Sequence, residues 1–303
     1  MEFMREFPDD AACLEHLWRS RYAADGTHAD CPKCEREEVV FKRYATKQGR
    51  QSWTCTACGH HVHPTAGTIF HKSSTSLHLW YYAMYLMTST RCGISAKHLE
   101  REIGVSYKTA WRMLNRIRTE LMRQHDAPLS GDVEADETAW GGRPRQGDIA
   151  KLAKPGETDL SAAGGRWNAA NKKTVFAMVE QGGRVRASVV PSRGGITLQG
   201  EIREHVLPGS TIFTDEWASY DGLRKDYRHH RIRHSEKVYV SGNVHTQTIE
   251  GFFSNLKRGI GGTYHSVSSQ WLQSYLNEYA WRYSERNTTE RTMFDTLLMR
   301  AAE

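Results

Sequence analysis

Apolar positions change their spacing along the chain, and each change marks a different kind of element. Around residues 39–55, VVFKRY and RQSWTC have the β-branched and aromatic makeup of short strands about the turn-forming KQGR, a hairpin pattern. Residues 73–90 instead carry apolar or aromatic side chains throughout (LHLWYYAMYLM) behind a Ser/Thr-rich start, and Cys92-Gly93 ends what reads as a helix. GISAKHLEREIGVSYKTAWRMLNRIRTEL then predicts a helix pair. Ser95 caps the first helix, which reaches Ile103, and Gly104-Val105-Ser106 makes the tight turn. The second helix covers residues 107–121, with Ala110, Met113, Leu114 and Ile117 on one face.

After Pro128 the texture shifts to alternating strands, the sign of a second domain. GDVEADETAW is a short strand; KTVFAMVEQ and RVRASVVP make a hairpin; ITLQGEIREHV is an amphipathic helix; and STIFTDEWASY holds an apolar strand ending at Asp215. HHRIRHS supplies a further connecting strand, and HTQTIEGFFSNLKRGI a helix with the stripe Ile249, Phe252, Phe253 and Leu256. Strand, hairpin, helix, strand is the order of a ribonuclease H-like α/β sheet, with Asp136 and Asp215 on neighbouring strands. Trp271, Leu272, Tyr275, Leu276, Tyr279 and Tyr283 recur at helical spacing near the end, as a core stripe does. The expected divisions are an N-terminal helix and ribbon (1–70), a helical DNA-binding region (71–128), and an α/β domain with a C-terminal helix (129–303).

A length of 303 residues fits more than one domain, and a formal charge of +6 decides little. Its distribution says more: residues 42–123 hold thirteen Lys and Arg against three Glu and no Asp, where a phosphate-facing surface is expected. The N-terminus lacks a basic region followed by an apolar run, and the apolar stretch 77–87 is too short to span a bilayer. A cytoplasmic protein is expected.

Four of the six cysteines form the pairs CPKC (Cys31, Cys34) and CTAC (Cys55, Cys58), about twenty residues apart. That spacing fits one structural Zn2+ held by four thiolates, whose binding supplies the folding free energy of a module too small to hold itself. Cys13 and Cys92 read as small buried apolar side chains. On the helix of residues 107–121, Lys108, Arg112, Arg116 and Arg123 oppose the apolar face, as on a recognition helix in a DNA major groove.

Asp136, Asp215 and Glu250 come from separate elements, and such carboxylates repel one another unless cations sit among them. They are the expected ligands of two Mg2+ or Mn2+ ions, roughly 4 Å apart, which activate an attacking hydroxyl and stabilise the departing oxygen at a phosphodiester. Lys257 stands seven residues, two helical turns, after Glu250 and can hold a DNA phosphate; Arg258 beside it is a further DNA-contact candidate. Glu134 shares Asp136's face on a regular strand and competes for a metal-adjacent role, whereas Glu137 and Glu216 should point away.

At this point CPKC…CTACGHHVHPTAGTIF, VEADETAWGGR, TDEWASY, HTQTIEGFFSNLKRGIGGTYHSVS and QWLQSYLNEYAWRYSERN together resemble bacterial insertion-sequence DDE transposases with an N-terminal zinc ribbon and an ISXO-like integrase domain. The resemblance covers nearly the whole chain and carries over onto Asp136, Asp215, Glu250 and Lys257. It implies cutting at the ends of a mobile element and joining its 3′-hydroxyls to target DNA. The implied partner is double-stranded DNA, both terminal inverted repeats and target. Pairing two ends implies at least a dimer, and the bacterial protein would associate with the nucleoid when DNA-bound. Two features depart from the pattern: RYSERN stands where RYNxR is expected, and residues 141–173 are long and Gly-rich, with Arg143, Arg145, Lys151, Lys154, Arg166, Lys172 and Lys173. Two other readings stay open: a zinc-ribbon and helix-turn-helix transcription regulator, which needs no acidic triad, and a ribonuclease H-like nuclease that cleaves without joining strands.

Overall fold

The computed structural model describes residues 2–45, 51–142, 172–232 and 247–303. The KQGR turn, most of the basic Gly-rich segment and the residues leading into the Glu250 helix lie outside the described residues. The contacts divide the chain into residues 1–122 with 288–303, and residues 123–287.

In the first unit, α1 (Glu2–Glu6) precedes α2 (Asp10–Arg21), which Asp9 caps by accepting from the Ala12 N–H at 2.8 Å. Four antiparallel strands follow in sheet order: β1 (His28–Ala29), β2 (Val39–Ala45), β3 (Gln51–Cys55) and β4 (His61–Val62). Trp18 of α2 is wholly buried against them, stacked on Trp53 with ring centroids 4.8 Å apart and planes 11° apart. Its indole N–H donates to the Gly26 carbonyl at 2.9 Å. A ribbon this small has little apolar interior, so this one indole pair is a large share of its core.

The helices that follow keep their sequence-encoded caps. Ser76 caps α3 (Leu77–Ser89), so that helix starts later than the Ser/Thr-rich run suggested. Ser95 caps α4 (Ala96–Ile103) and Gly104, at φ 69°, ends it in the left-handed region that favours glycine. Ser106 caps α5 (Tyr107–Arg116). The expected second helix is not α-helical to its end: residues Ile117–Leu121 widen into a π turn, and Arg300 donates to its terminal Leu121 carbonyl at 2.6 Å. Cys13 is buried, which pushes its thiol up to about 12, whereas Cys92 is exposed, against the expectation of a core position. The last helix, Glu290–Ala302, packs in this unit, with Phe294 edge-on to Phe3, Phe7 and Tyr85 at 5.8–6.1 Å. Residues 288–303 therefore fall in the first unit, whereas the sequence placed them with the α/β portion; long-range aromatic contacts tie Phe294 to the N-terminal helices.

The second unit is built on β5 (Asp132–Trp140), β6 (Lys173–Glu180), β7 (Val185–Val190), β8 (Thr211–Thr214) and β9 (Arg228–Arg231), in the sheet order β7-β6-β5-β8-β9. β5, β6 and β7 pair antiparallel, whereas β8 pairs parallel to β5 and β9 parallel to β8. Alternation assigns the faces. Val133, Ala135, Phe176 and Met178 enter a core with α6 (Gly195–His205), Tyr220 and Leu223. On the other face, Val175, Ala177 and Val179 meet α7 (Gln247–Gly259) and α8 (Leu272–Ser284) through Ile249, Phe252, Phe253, Leu256, Leu272, Tyr275, Leu276 and Tyr279. The aromatic stripe of α8 is thus core, apart from Trp271, which is exposed. By the same alternation Glu134 and Asp136 face α7.

Trp18→Ala removes the ribbon's central ring and is expected to cost about 3–5 kcal/mol, read as a lowered urea midpoint by circular dichroism, with Trp18→Phe losing less.

Candidate active site and metal centre

Each CxxC pair in the first unit is a closed knuckle. The Glu35 N–H donates to the Cys31 carbonyl at 3.0 Å and the Gly59 N–H to the Cys55 carbonyl at 2.9 Å, with Glu35 and Gly59 both at positive φ. The four sulfurs of Cys31, Cys34, Cys55 and Cys58 lie within 4.8 Å of one another, Cys31 and Cys58 at 3.6 Å. Burial works against ionisation of Cys31. Hydrogen bonds from the Cys34 and Lys33 backbone and from the Cys34 and Cys58 thiols outweigh it and pull its thiol below the usual range. Four convergent sulfurs are the donor set of a closed tetrahedral zinc site, and this cluster could hold one zinc ion.

The acidic residues are assembled by the second unit's sheet. Asp136 lies on β5 and Asp215 directly follows β8. The parallel register pairs Glu134 with Phe213, so two residues further along Asp136 stands level with Asp215. Glu250 lies in the first turn of α7, one position past Ile249, which is buried. Burial, followed by the negative charges of Glu137, Asp215 and Glu250, pushes the Asp136 carboxyl up to about 6, against a lowering bond from the Glu137 N–H. The three residues chosen from sequence therefore share one electrostatic neighbourhood. Their oxygens do not close as tightly as the thiols: among the described residues, the cysteine cluster is the one group of three or more His, Cys, Asp or Glu ligand atoms all within 4.8 Å. Hard carboxylate oxygens from three elements are a donor set that fits Mg2+ or Mn2+.

Two neighbouring acids take the faces that the sequence assigned them, and each has a partner that the sequence did not name. Glu134 faces α7 as the alternation required, but it is fully buried, and its two oxygens accept from the Ile249 N–H at 2.9 Å and from the Gln181 amide at 3.1 Å. Glu137 points to the opposite face, where its carboxylate accepts from the Tyr220 hydroxyl at 2.5 Å. Burial and the charge of Asp215 push Glu137 up; the Tyr220 bond and Arg193 oppose this. Sequence left Glu137 out, because its partner Tyr220 lies more than eighty positions away.

Among the expected DNA contacts, Lys257 and Arg258 are exposed on α7, with the Lys257 ammonium 5.9 Å from the Phe253 ring centroid and Arg258 donating to Asn255 at 2.6 Å. Lys108 and Arg112 are exposed on α5. Arg116 is half-buried and donates to the Ile69 carbonyl at 2.6 Å and to Glu120 at 2.7 Å, so it ties α5 to its own unit. Tyr264 donates to the buried Glu278 of α8.

Purified protein is expected to carry one zinc ion per chain by elemental analysis, and Cys31→Ser or Cys58→Ser to lose most of it. Full zinc occupancy in both variants would remove the cluster as the binding site.

Similarity to known proteins agrees with this geometry. A Halobacterium salinarum protein described as an uncharacterized protein in transposable element ISH50 is 30% identical over 263 residues, covering 83% of this chain and 84% of that one. A Haemophilus influenzae protein described as an uncharacterized transposase-like protein is 31% identical over 102 residues, 33% of this chain and 81% of its own. The model of the ISXO2-like transposase domain matches residues 128–284, the stretch that carries the sheet and all three carboxylates. The chain belongs to the ISXO2-like transposase domain family.

Proposed function

We propose that this protein is a DNA transposase that binds the terminal inverted repeats of an insertion sequence, cleaves at the element ends and joins the 3′-hydroxyls to target DNA. In this reading residues 129–287 form a ribonuclease H-like domain; the order β7-β6-β5-β8-β9, with three antiparallel strands leading into two parallel ones, supports it. The observation that carries the reading is the delivery of three carboxylates from a strand, a strand end and a helix: the parallel β5–β8 register sets Asp136 level with Asp215, and Glu250 of α7 is near enough for its charge to add to burial, Glu137 and Asp215 in raising the Asp136 carboxyl.

Asp136, Asp215 and Glu250 would hold two Mg2+ or Mn2+ ions. When bound, such a pair supplies Lewis-acid stabilisation to the attacking and leaving oxygens of a phosphodiester displacement. The chain's own contribution is placement. β5 and β8 set Asp136 and Asp215 level, and the buried stripe of α7 fixes the helix that carries Glu250. Lys257, two turns along from Glu250, holds a phosphate of the bound strand, with Arg258 beside it. In the first unit, Lys108 and Arg112 on α5 contact phosphates and base edges, presented by a helix pair of helix-turn-helix form. Arg116 secures that helix through Ile69 and Glu120. Pairing two element ends calls for at least two copies of the chain.

Asp136→Ala, Asp215→Ala and Glu250→Ala are each expected to abolish Mg2+-dependent 3′-end cleavage and strand transfer on the element's own ends. Gel-shift binding to those ends should persist. Retained cleavage in any one variant would take that residue out of the triad.

A further inference from the structure

Asp136 is flanked on its strand by two more carboxylates: one reaches the helix that carries Glu250, and the other reaches the turn that follows Asp215. Glu134, two residues before it on the same face, accepts from the Ile249 N–H in the first turn of α7. That N–H is among those a helix leaves without an internal partner at its N-terminus, and a carboxylate there also meets the positive end of the helix dipole. Glu250 is the next residue. Glu134 is fully buried and the Gln181 amide holds its second oxygen, so its position is fixed from both sides.

Glu137, one residue after Asp136 on the opposite face, accepts from the hydroxyl of Tyr220. Tyr220 is buried and sits in the 3-10 turn Ala218–Lys225 that follows Asp215. The Asp215 carboxylate accepts from the Trp217 N–H at 3.0 Å, a local turn that leads into the segment carrying Tyr220.

We propose that Glu134 and Glu137 are positioning residues, which register Glu250 and Asp215 respectively against Asp136. Both bonds start from β5, which pairs with β8 at Val133 and Glu134 and with β6 from Val133 through Asp136 and Glu137. Asp136 and the two anchors are therefore held on one continuously paired strand. The proposal rests on the reading of Asp136, Asp215 and Glu250 as cation ligands, and it separates Glu134 from a fourth ligand: its oxygens serve α7 and Gln181.

The test is Mn2+ binding by the full-length protein, followed by electron paramagnetic resonance, alongside cleavage of element ends, with Asp136→Asn as the blank. Tyr220→Phe, which removes one hydroxyl, and Glu134→Ala are expected to raise the half-saturating Mn2+ concentration about 10- to 100-fold. Tyr220→Phe should do so with an unchanged circular dichroism spectrum, which separates a loss of registration from a failure to fold. Glu134→Gln keeps an acceptor for the Ile249 N–H and should recover most of what Glu134→Ala loses. Wild-type Mn2+ affinity in Tyr220→Phe and Glu134→Ala overturns the proposal, and so does a Glu134→Gln protein as deficient as Asp136→Asn, because that would make Glu134 a ligand. Wild-type protein that binds Mn2+ without cutting DNA counts against the transposase reading alone, since the variants' affinities still decide this one; wild-type protein that binds no Mn2+ overturns both.

Discussion

Bringing Asp136, Asp215 and Glu250 together costs free energy, because each negative charge raises the cost of ionising the next and burial raises it further. At Asp136, burial and then the acidic neighbours push the carboxyl up to about 6. A fold tolerates such a constraint only where the backbone is held too firmly to relax away from it. Much of the second unit answers that demand. β5 is a central strand, a separate apolar core packs on each face of the sheet, and Asp136 stands where the parallel pairing of β5 with β8 brings it beside the end of β8.

The cysteine cluster and the acidic cluster solve opposite problems. In the first unit four thiols gather in a ribbon with little apolar interior, so the cluster has to supply cohesion as well as occupy space. In the second unit the cores already exist and the carboxylates strain against them. This contrast accounts for the tighter closure of the cysteine sulfurs than of the acidic oxygens: the knuckles are shaped around the sulfurs, whereas the acids are carried on elements whose positions the apolar packing decides.

Much of this was legible in the sequence where one local signal governs. Ser95, Gly104 and Ser106 punctuate α4 and α5 as written, because a cap depends on a few adjacent residues. Period-two alternation placed β5 to β8 and assigned Glu134 and Asp136 to one face. Long-range contacts were not legible. Nothing within residues 290–302 signals that Phe294 belongs with Phe3 and Phe7, and the exposure of Cys92 depends on neighbours that its own sequence does not name. The bonds of Glu134 to Ile249 and of Glu137 to Tyr220 join residues more than eighty positions apart, so sequence could place these acids near Asp136 without showing what they hold.

The central claim is that three carboxylates from three elements form one divalent-cation site. Its most direct test is an anomalous difference map of crystals soaked in Mn2+. The account predicts density within coordination distance of Asp136, Asp215 and Glu250 together; manganese bound elsewhere in residues 123–287, or held without one of the three, would contradict it.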